Sequence, residues 1–196
     1  TRLRRGGLPG VVSIVIIIAV AIAFIDVTPY YDAPHYMPYV GPANSVWHGG
    51  IPMLDVFSQY GNSYLVFLIS FLFFEGTFAS MALVHSIFVV FYLLLFAFVV
   101  RSVSQNTVLF CVMTVLFILF YSFSRDFPFN MVPSHGPLRY LPFLVMLLVT
   151  LRAQSHCRPS LTVAVSLAGA WVWSLEAGVM CTALLFAHAA ITAISK

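Results

Sequence analysis

Residues 78–100 contain no acidic or basic side chain except His85. As a helix rising about 1.5 Å per residue, this run is long enough to cross a hydrocarbon core of about 30 Å. Only 8% of the 196 residues are Asp, Glu, Lys or Arg, 61% are apolar and the mean hydropathy is +1.00. A soluble domain normally has about 25% charged residues, because its surface faces water. We therefore expect an integral membrane protein, which excludes soluble domains and nucleic-acid binders.

Six apolar segments are predicted to cross the membrane. The first, residues 10–24, follows three arginines and reaches Asp26 without a small-x-small cleavage site, so a retained helix is favoured over a signal peptide. The other five are residues 78–100, 107–123, 138–151, 160–175 and 177–195. The expected fold class is all-α integral membrane, with residues 1–196 forming a single transmembrane domain.

The apolar segment 64–74 decides the topology. A run of this length is more typical of a re-entrant or interfacial segment than of a span. If it crossed, Arg101, Arg152 and Arg158 would lie across the membrane from the N-terminal arginines, against the positive-inside rule. If it does not cross, both termini and most basic residues are cytoplasmic, and all acidic residues lie outside. We adopt the second arrangement.

Two outer loops follow from this topology, a long one over residues 26–77 and a shorter one over residues 124–137. The long loop is rich in Tyr, Pro and Gly, which indicates short interfacial helices rather than disorder. A connection of such length is usually functional.

The long loop contains three candidate site residues. Asp32 and His35 share a face if Asp32 begins a helical turn, and a carboxylate beside an imidazole is a candidate base or metal site. The alternative is that Asp32 caps a short helix while His35 is solvated. For Asp55, capping the loop and contacting a ligand are equally open.

The shorter loop and its surroundings hold Arg125, Asp126, His135 and Arg139. The planar fork of arginine suits bidentate contact with phosphate oxygens. The alternative pairs Arg125 with Asp126 and lets Arg139 reach lipid headgroups. Glu176 lies at the outer junction of the last two predicted spans and is a functional candidate, with Arg125 or Arg139 as its expected partner.

His85 and His188 lie inside predicted spans, and histidines on two helices could hold a haem. Their depths differ by about 6 Å, which counts against a haem, and the alternative is that each imidazole bonds to a neighbouring helix. Cys111, Cys157 and Cys181 have no metal-type spacing.

The order of features in the long loop resembles the GT-C fold integral-membrane glycosyltransferases. The resemblance lies in Tyr31-Asp32-Ala-Pro-His35-Tyr, then Gly41-Pro-Ala-Asn and His48-Gly-Gly-Ile-Pro-Met-Leu-Asp55-Val-Phe-Ser-Gln-Tyr-Gly61, and covers about a fifth of the chain. These residues look like the first outer loop of uncharacterised bacterial members. The chain would then be a short or truncated relative of the N-terminal membrane module.

The resemblance implies transfer of a sugar from a polyprenyl-phosphate donor on the outer face of a bacterial inner membrane. It assigns catalysis to Asp32, with His35 beside it, and substrate contacts to Asp55, Arg125, Asp126, His135, Arg139 and Glu176. Membrane lipids, the lipid-linked sugar and other membrane subunits are the expected partners, and a divalent cation is left open. Because family members are longer, a non-catalytic subunit of a larger membrane complex is the alternative. A haem- or quinone-binding protein is the third hypothesis.

Overall fold

A computed structural model describes residues 33–104, 106–122, 136–153 and 161–194, and shows Val15, Ile18 and Ala19 in helical conformation. All regular structure in these residues is helical apart from one isolated bridge between Pro52 and Val56. The predicted all-α fold is therefore confirmed for the described part of the chain.

These four described ranges contain seven α-helices and one 3₁₀ helix. They are α1 (Ala33–Trp47), the 3₁₀ helix Gly61–Phe67, α2 (Leu68–Phe73), α3 (Phe78–Val103), α4 (Thr107–Ser122), α5 (Pro137–Ala153), α6 (Leu161–Trp173) and α7 (Leu175–Ile194).

Two of these helices, α3 with 26 residues and α7 with 20, are long and apolar enough to cross a membrane by length and composition. α4 and α6 are shorter apolar helices of 16 and 13 residues. Helices thus occupy five of the six predicted spans, and the first span, residues 10–24, lies mostly outside the described residues. The two long helices support association with a membrane.

Contacts between helix ends give the directions of the helices. The indole nitrogen of Trp173, the last residue of α6, donates to the carbonyl of Leu138 near the start of α5 at 2.7 Å. Leu138 also packs in one buried cluster with Met81 and Val84, near the start of α3. Since only Ser174 separates α6 from α7, α7 begins at the same place. We call this the loop end of the bundle.

The described charged residues divide between the two ends. Arg101 and Arg152 lie in the last turns of α3 and α5, away from the loop end. Asp55 and Glu75 precede α3 in the chain, and Glu176 lies in the first turn of α7, so all three described acids lie on the loop side. For these residues the observed separation agrees with the sequence prediction.

The segment 64–74 stays at the loop end. Gly61, at the start of its 3₁₀ helix, has φ +65° and lies so close to α6 that a Cβ there would come within 2.4 Å of the Trp173 carbonyl oxygen. At the other end of the segment, the hydroxyls of Ser70 and Ser80 are 2.5 Å apart, which joins α2 to the start of α3. The segment therefore begins and ends at the same end of the bundle and does not run along its length.

α6 and α7 form a tight helical hairpin. The ring of Trp171 lies against Gly178, where an added Cβ would approach the ring to 2.4 Å. The Trp171 indole also donates to the Thr182 hydroxyl at 3.2 Å. The hairpin fixes the start of α7, and with it Glu176, beside the start of α5.

Candidate functional site

Residues 33–76, here called the cap, fold over the loop end. Tyr36, Tyr39 and Ala43 are spaced along one face of α1 and are all buried with Phe67 in a single cluster. Tyr39 also stacks on Tyr60, with ring centroids 4.8 Å apart. This apolar face holds α1 against the 3₁₀ helix, so the long loop is a folded unit, as its composition indicates.

Two prolines inside α1 leave a backbone carbonyl without its helical donor, and another part of the cap supplies one. The carbonyl of Pro38 would normally accept from the N–H four residues later, but that residue is Pro42, which has none. The hydroxyl of Ser58 donates to the Pro38 carbonyl instead, at 2.8 Å. The turn after α1 is thereby tied back onto the helix.

Besides the Ser70–Ser80 pair, polar groups of the cap contact the bundle at two further points among the described residues. The side-chain amide of Asn62 donates to the Val172 carbonyl of α6 at 2.8 Å. On the other side, the Tyr36 hydroxyl lies 3.5 Å from Nδ1 of His85 on α3, and the two rings meet edge to face. Burial raises the pKa of Tyr36 to about 12. For the fully buried His85, the structure matches the interpretation of an imidazole that contacts a neighbouring element.

A bidentate ion pair joins α5 to α7 at the loop end. Nε and Nη2 of Arg139 donate to the two carboxylate oxygens of Glu176, each at 2.6 Å. The Arg139 guanidinium also lies over the Tyr140 ring, 5.7 Å from its centroid. The pairing of Glu176 with Arg139, one of its two predicted partners, is confirmed.

The ion pair remains accessible to solvent, since the side chains of Arg139 and Glu176 are 33% and 50% exposed. An arginine side chain has five N–H donors, and Glu176 is the only hydrogen-bond acceptor for Arg139 among the described residues. Further oxygen atoms at this surface can therefore bind the same guanidinium. The arrangement is suited to an anionic ligand that approaches from the loop end.

Asp55 has a structural task in the cap. Its carboxylate accepts from the backbone N–H of Ile51 at 3.1 Å, and its own N–H donates to the Ile51 carbonyl at 2.9 Å. Of the two roles that the sequence leaves open for Asp55, the structure shows the capping of its loop. Contact with a substrate stays a prediction.

The remaining predicted site residues are only partly within the described ranges. His35 lies in the first turn of α1, which fits the helical turn expected after Asp32. The predicted positions that lie outside the described residues are Asp32, Arg125, Asp126 and His135. A shared site formed by the two loops therefore stays a prediction.

An open groove at the junction of α2 and α3 is a feature that the sequence analysis missed. Its volume is about 590 Å³, and its lining combines phenylalanine side chains with Glu75, Thr77 and Ser80. The sequence feature that marks this groove is the Glu75–Gly76 pair, which lies between two apolar runs.

The described residues contain no group of three or more His, Cys, Asp or Glu side chains that could hold a metal ion. The two histidines of the haem hypothesis lie on different sides of the bundle: α3 packs mainly on α4 and α5, whereas α7 packs on α5 and α6. His85 and His188 therefore lie on helices that α5 separates.

Comparison with family models, with curated proteins and with solved structures finds no match to this chain.

Proposed function

We propose that this chain is a membrane glycosyltransferase module of the GT-C type, which transfers a sugar from a polyprenyl-phosphate donor to an acceptor at the outer membrane face. The observation that carries the proposal is the cap. An aromatic segment that precedes α3 folds over one end of the bundle, and it lies at the end where Arg139 is partly exposed to solvent. This is the plan expected from the resemblance of the first outer loop.

In the proposed topology, residues 10–24 and the five helices α3 to α7 cross a bacterial inner membrane, with both termini in the cytoplasm. The alternating directions of these helices support it, as do Arg101 and Arg152 at one end and the described acids at the other. α6 has 13 residues. Because such a helix spans only about 20 Å, the bilayer thins beside it.

The donor's phosphate lies at headgroup height, and its polyprenyl chain requires apolar surface between helices. Phosphate and carboxylate oxygens fit the guanidinium fork in the same bidentate way. The phosphate therefore binds Arg139 by displacing Glu176 or by using the donors that Glu176 leaves open. The displaced carboxylate is half exposed, so water solvates it without a large penalty.

The reaction is a single displacement at the anomeric carbon. The acceptor oxygen forms a bond to that carbon, the bond to the phosphate oxygen breaks, and Asp32 takes the acceptor proton. General-base catalysis of this kind contributes about 10² to 10⁴ in rate. Arg139, Arg125 and His135 stabilise the charge on the departing polyprenyl phosphate. The sugar is transferred with inversion.

The test is sugar transfer by the full chain in lipid vesicles, with a labelled polyprenyl-phosphate sugar as donor. Asp32→Asn should abolish transfer and leave membrane insertion unchanged, and Asn44→Asp, an exposed substitution elsewhere in the cap, should retain transfer. Equal activity of Asp32→Asn and the native chain would remove Asp32 from its role.

The second candidate is a non-catalytic subunit of a larger membrane complex. The tasks of the described candidate residues favour it, because Asp55 caps a turn and Arg139 neutralises Glu176. This candidate predicts stoichiometric copurification with other membrane proteins and no turnover of the lipid-linked sugar. Transfer by the purified chain alone would rule it out.

A further inference from the structure

The turn between α1 and the 3₁₀ helix has a cluster of apolar side chains exposed at the protein surface. Ile51, Met53, Leu54 and Phe57 are 53%, 65%, 67% and 73% exposed, and we call residues 51–57 the apolar turn. Its only charged residue is Asp55, whose carboxylate accepts from the backbone inside the turn. Contiguous apolar surface of this kind marks contact with a membrane or another protein rather than with water.

The backbone of the apolar turn is fixed by its own hydrogen bonds. The Ile51 carbonyl accepts from Leu54, Asp55 and Val56 at 3.2, 2.9 and 3.2 Å, and the Met53 N–H donates to the Val56 carbonyl at 3.0 Å. Val56 is buried in the cap's core. Met53 has φ 63°, a left-handed conformation that residues other than glycine rarely adopt. The exposed side chains therefore point outward on a preformed scaffold.

The apolar turn lies at the height where the helices end. The Asn62 amide links the two, because it lies 3.2 Å from the Met53 sulfur and donates to the Val172 carbonyl of α6 at 2.8 Å. Val172 and the nearby Leu175 at the start of α7 expose their own side chains. The apolar surface of the turn thus continues that of the α6–α7 hairpin.

We propose that the apolar turn inserts into the outer leaflet, at the boundary between headgroups and acyl chains, and anchors the cap to the membrane. A lipid surface fits better than a protein partner, because the apolar surface of the turn continues that of the α6–α7 hairpin, and α7 is long and apolar enough to cross a membrane. The exposed Asp55 carboxylate, which accepts from the Ile51 N–H, lies among the headgroups in this arrangement. The inference rests on the membrane topology of the proposed function and is independent of sugar transfer. The anchor holds the cap where a lipid-borne phosphate meets Arg139.

The experiment uses the full chain with its native cysteines replaced, reconstituted in vesicles of phosphatidylethanolamine and phosphatidylglycerol. Single nitroxide labels are placed at Leu54 and Phe57, at the exposed polar Gln59 as a matched control, and at the exposed Phe91 in the middle of α3. Power saturation then compares collisions with oxygen, which enters lipid, and with a water-soluble nickel chelate. We expect the labels at 54 and 57 to favour oxygen, at a shallower depth than 91, and the label at 59 to favour nickel.

Each other outcome overturns the anchor in a distinguishable way. If nickel reaches 54 and 57 as readily as 59 while 91 stays shielded, the topology stands and the anchor does not exist. If neither reagent reaches 54 and 57, a protein covers the turn. If nickel reaches 91 as well, the topology itself fails. In a second variant, Leu54→Glu, the label at 57 should become accessible to nickel, while the accessibility of the label at 91 should not change. Unchanged nickel accessibility at 57 would contradict the anchor.

Discussion

Replacing Arg139 by Ala should weaken donor binding, whereas replacing Glu176 by Gln should not. If Arg139 holds the donor's phosphate, Arg139→Ala removes a charge-assisted contact worth about 1.5–3 kcal/mol. Since 1.4 kcal/mol corresponds to a factor of about ten, affinity for polyprenyl phosphate should fall about 10- to 150-fold. Glu176→Gln instead removes the carboxylate that occupies the fork, so it should leave affinity unchanged or raise it.

The size of that gain is limited by the strength of the ion pair. Arg139 and Glu176 are bonded at 2.6 Å through both oxygens, but they are 33% and 50% exposed. A pair this open contributes at most about 1 kcal/mol, so donor binding in Glu176→Gln should tighten by no more than about fivefold. The same figure limits the loss of folding stability in either variant.

The assay is equilibrium binding of polyprenyl phosphate to the chain in lipid nanodiscs, with thermal unfolding measured in parallel. Arg101→Ala is the matched control, because it removes the same charge at the opposite end of the bundle. If Arg139 only joins α5 to α7, the two variants should lose similar stability and bind the donor equally. Parallel changes in donor binding for Arg139→Ala and Glu176→Gln would refute the phosphate role.

Three further predictions concern the cap, and thermal or chemical unfolding of the reconstituted chain checks each. Ser58→Ala leaves the Pro38 carbonyl without its donor and should lower the free energy of unfolding by about 1–3 kcal/mol, whereas Ser58→Thr should retain most of the stability. Equal losses of stability in the two variants would contradict the role of the hydroxyl. Gly61→Ala places a Cβ 2.4 Å from the Trp173 carbonyl oxygen on a residue with a left-handed φ, so the free energy of unfolding should fall by about 1–3 kcal/mol. An unchanged midpoint of thermal unfolding would show that the cap docks differently. Burial raises the pKa of Tyr36 from 10.0 to about 12, so below pH 10 its hydroxyl is protonated in both the folded and the unfolded chain. Above pH 10 the hydroxyl ionises first in the unfolded chain, so the free energy of unfolding falls as the pH rises to about 12. Tyr36→Phe should remove that part of the pH dependence, and an identical pH profile in the variant would contradict it.

The helical part of the fold follows directly from the sequence. Runs of apolar residues without charges predict helices because only a helix satisfies its backbone inside lipid, and the arginines at 101 and 152 predict which ends lie together. The position of segment 64–74 at the loop end agrees with the prediction that this segment does not cross the membrane, which rests on its short length and on the placement of these arginines.

The docking of the cap could not be predicted. The Asn62 amide bonds a carbonyl 110 residues away, at Val172, and no local pattern links the two positions. The capping role of Asp55 depends on the turn geometry of Ile51, which a loop sequence rich in Gly and Pro leaves open. The exposure of Leu54 likewise depends on the left-handed conformation of the residue before it. The first feature arises from tertiary packing and the other two from local turn geometry, and hydrophobic periodicity predicts none of them.

A carboxylate in the fork of Arg139 does not make that arginine a poor ligand for phosphate. Holding a long side chain in one rotamer costs up to about 2 kcal/mol, and in this structure Glu176 and the Tyr140 ring already hold it. An arriving phosphate therefore exchanges one oxyanion for another on an ordered guanidinium, instead of ordering a mobile one. Because the pair is partly exposed, water solvates the departing carboxylate. The exchange therefore costs little free energy for either the guanidinium or the carboxylate. Arg139→Lys tests this account, because lysine keeps the charge but lacks the rigid fork: donor affinity should fall nearly as far as in Arg139→Ala, and full retention would show that charge alone is sufficient.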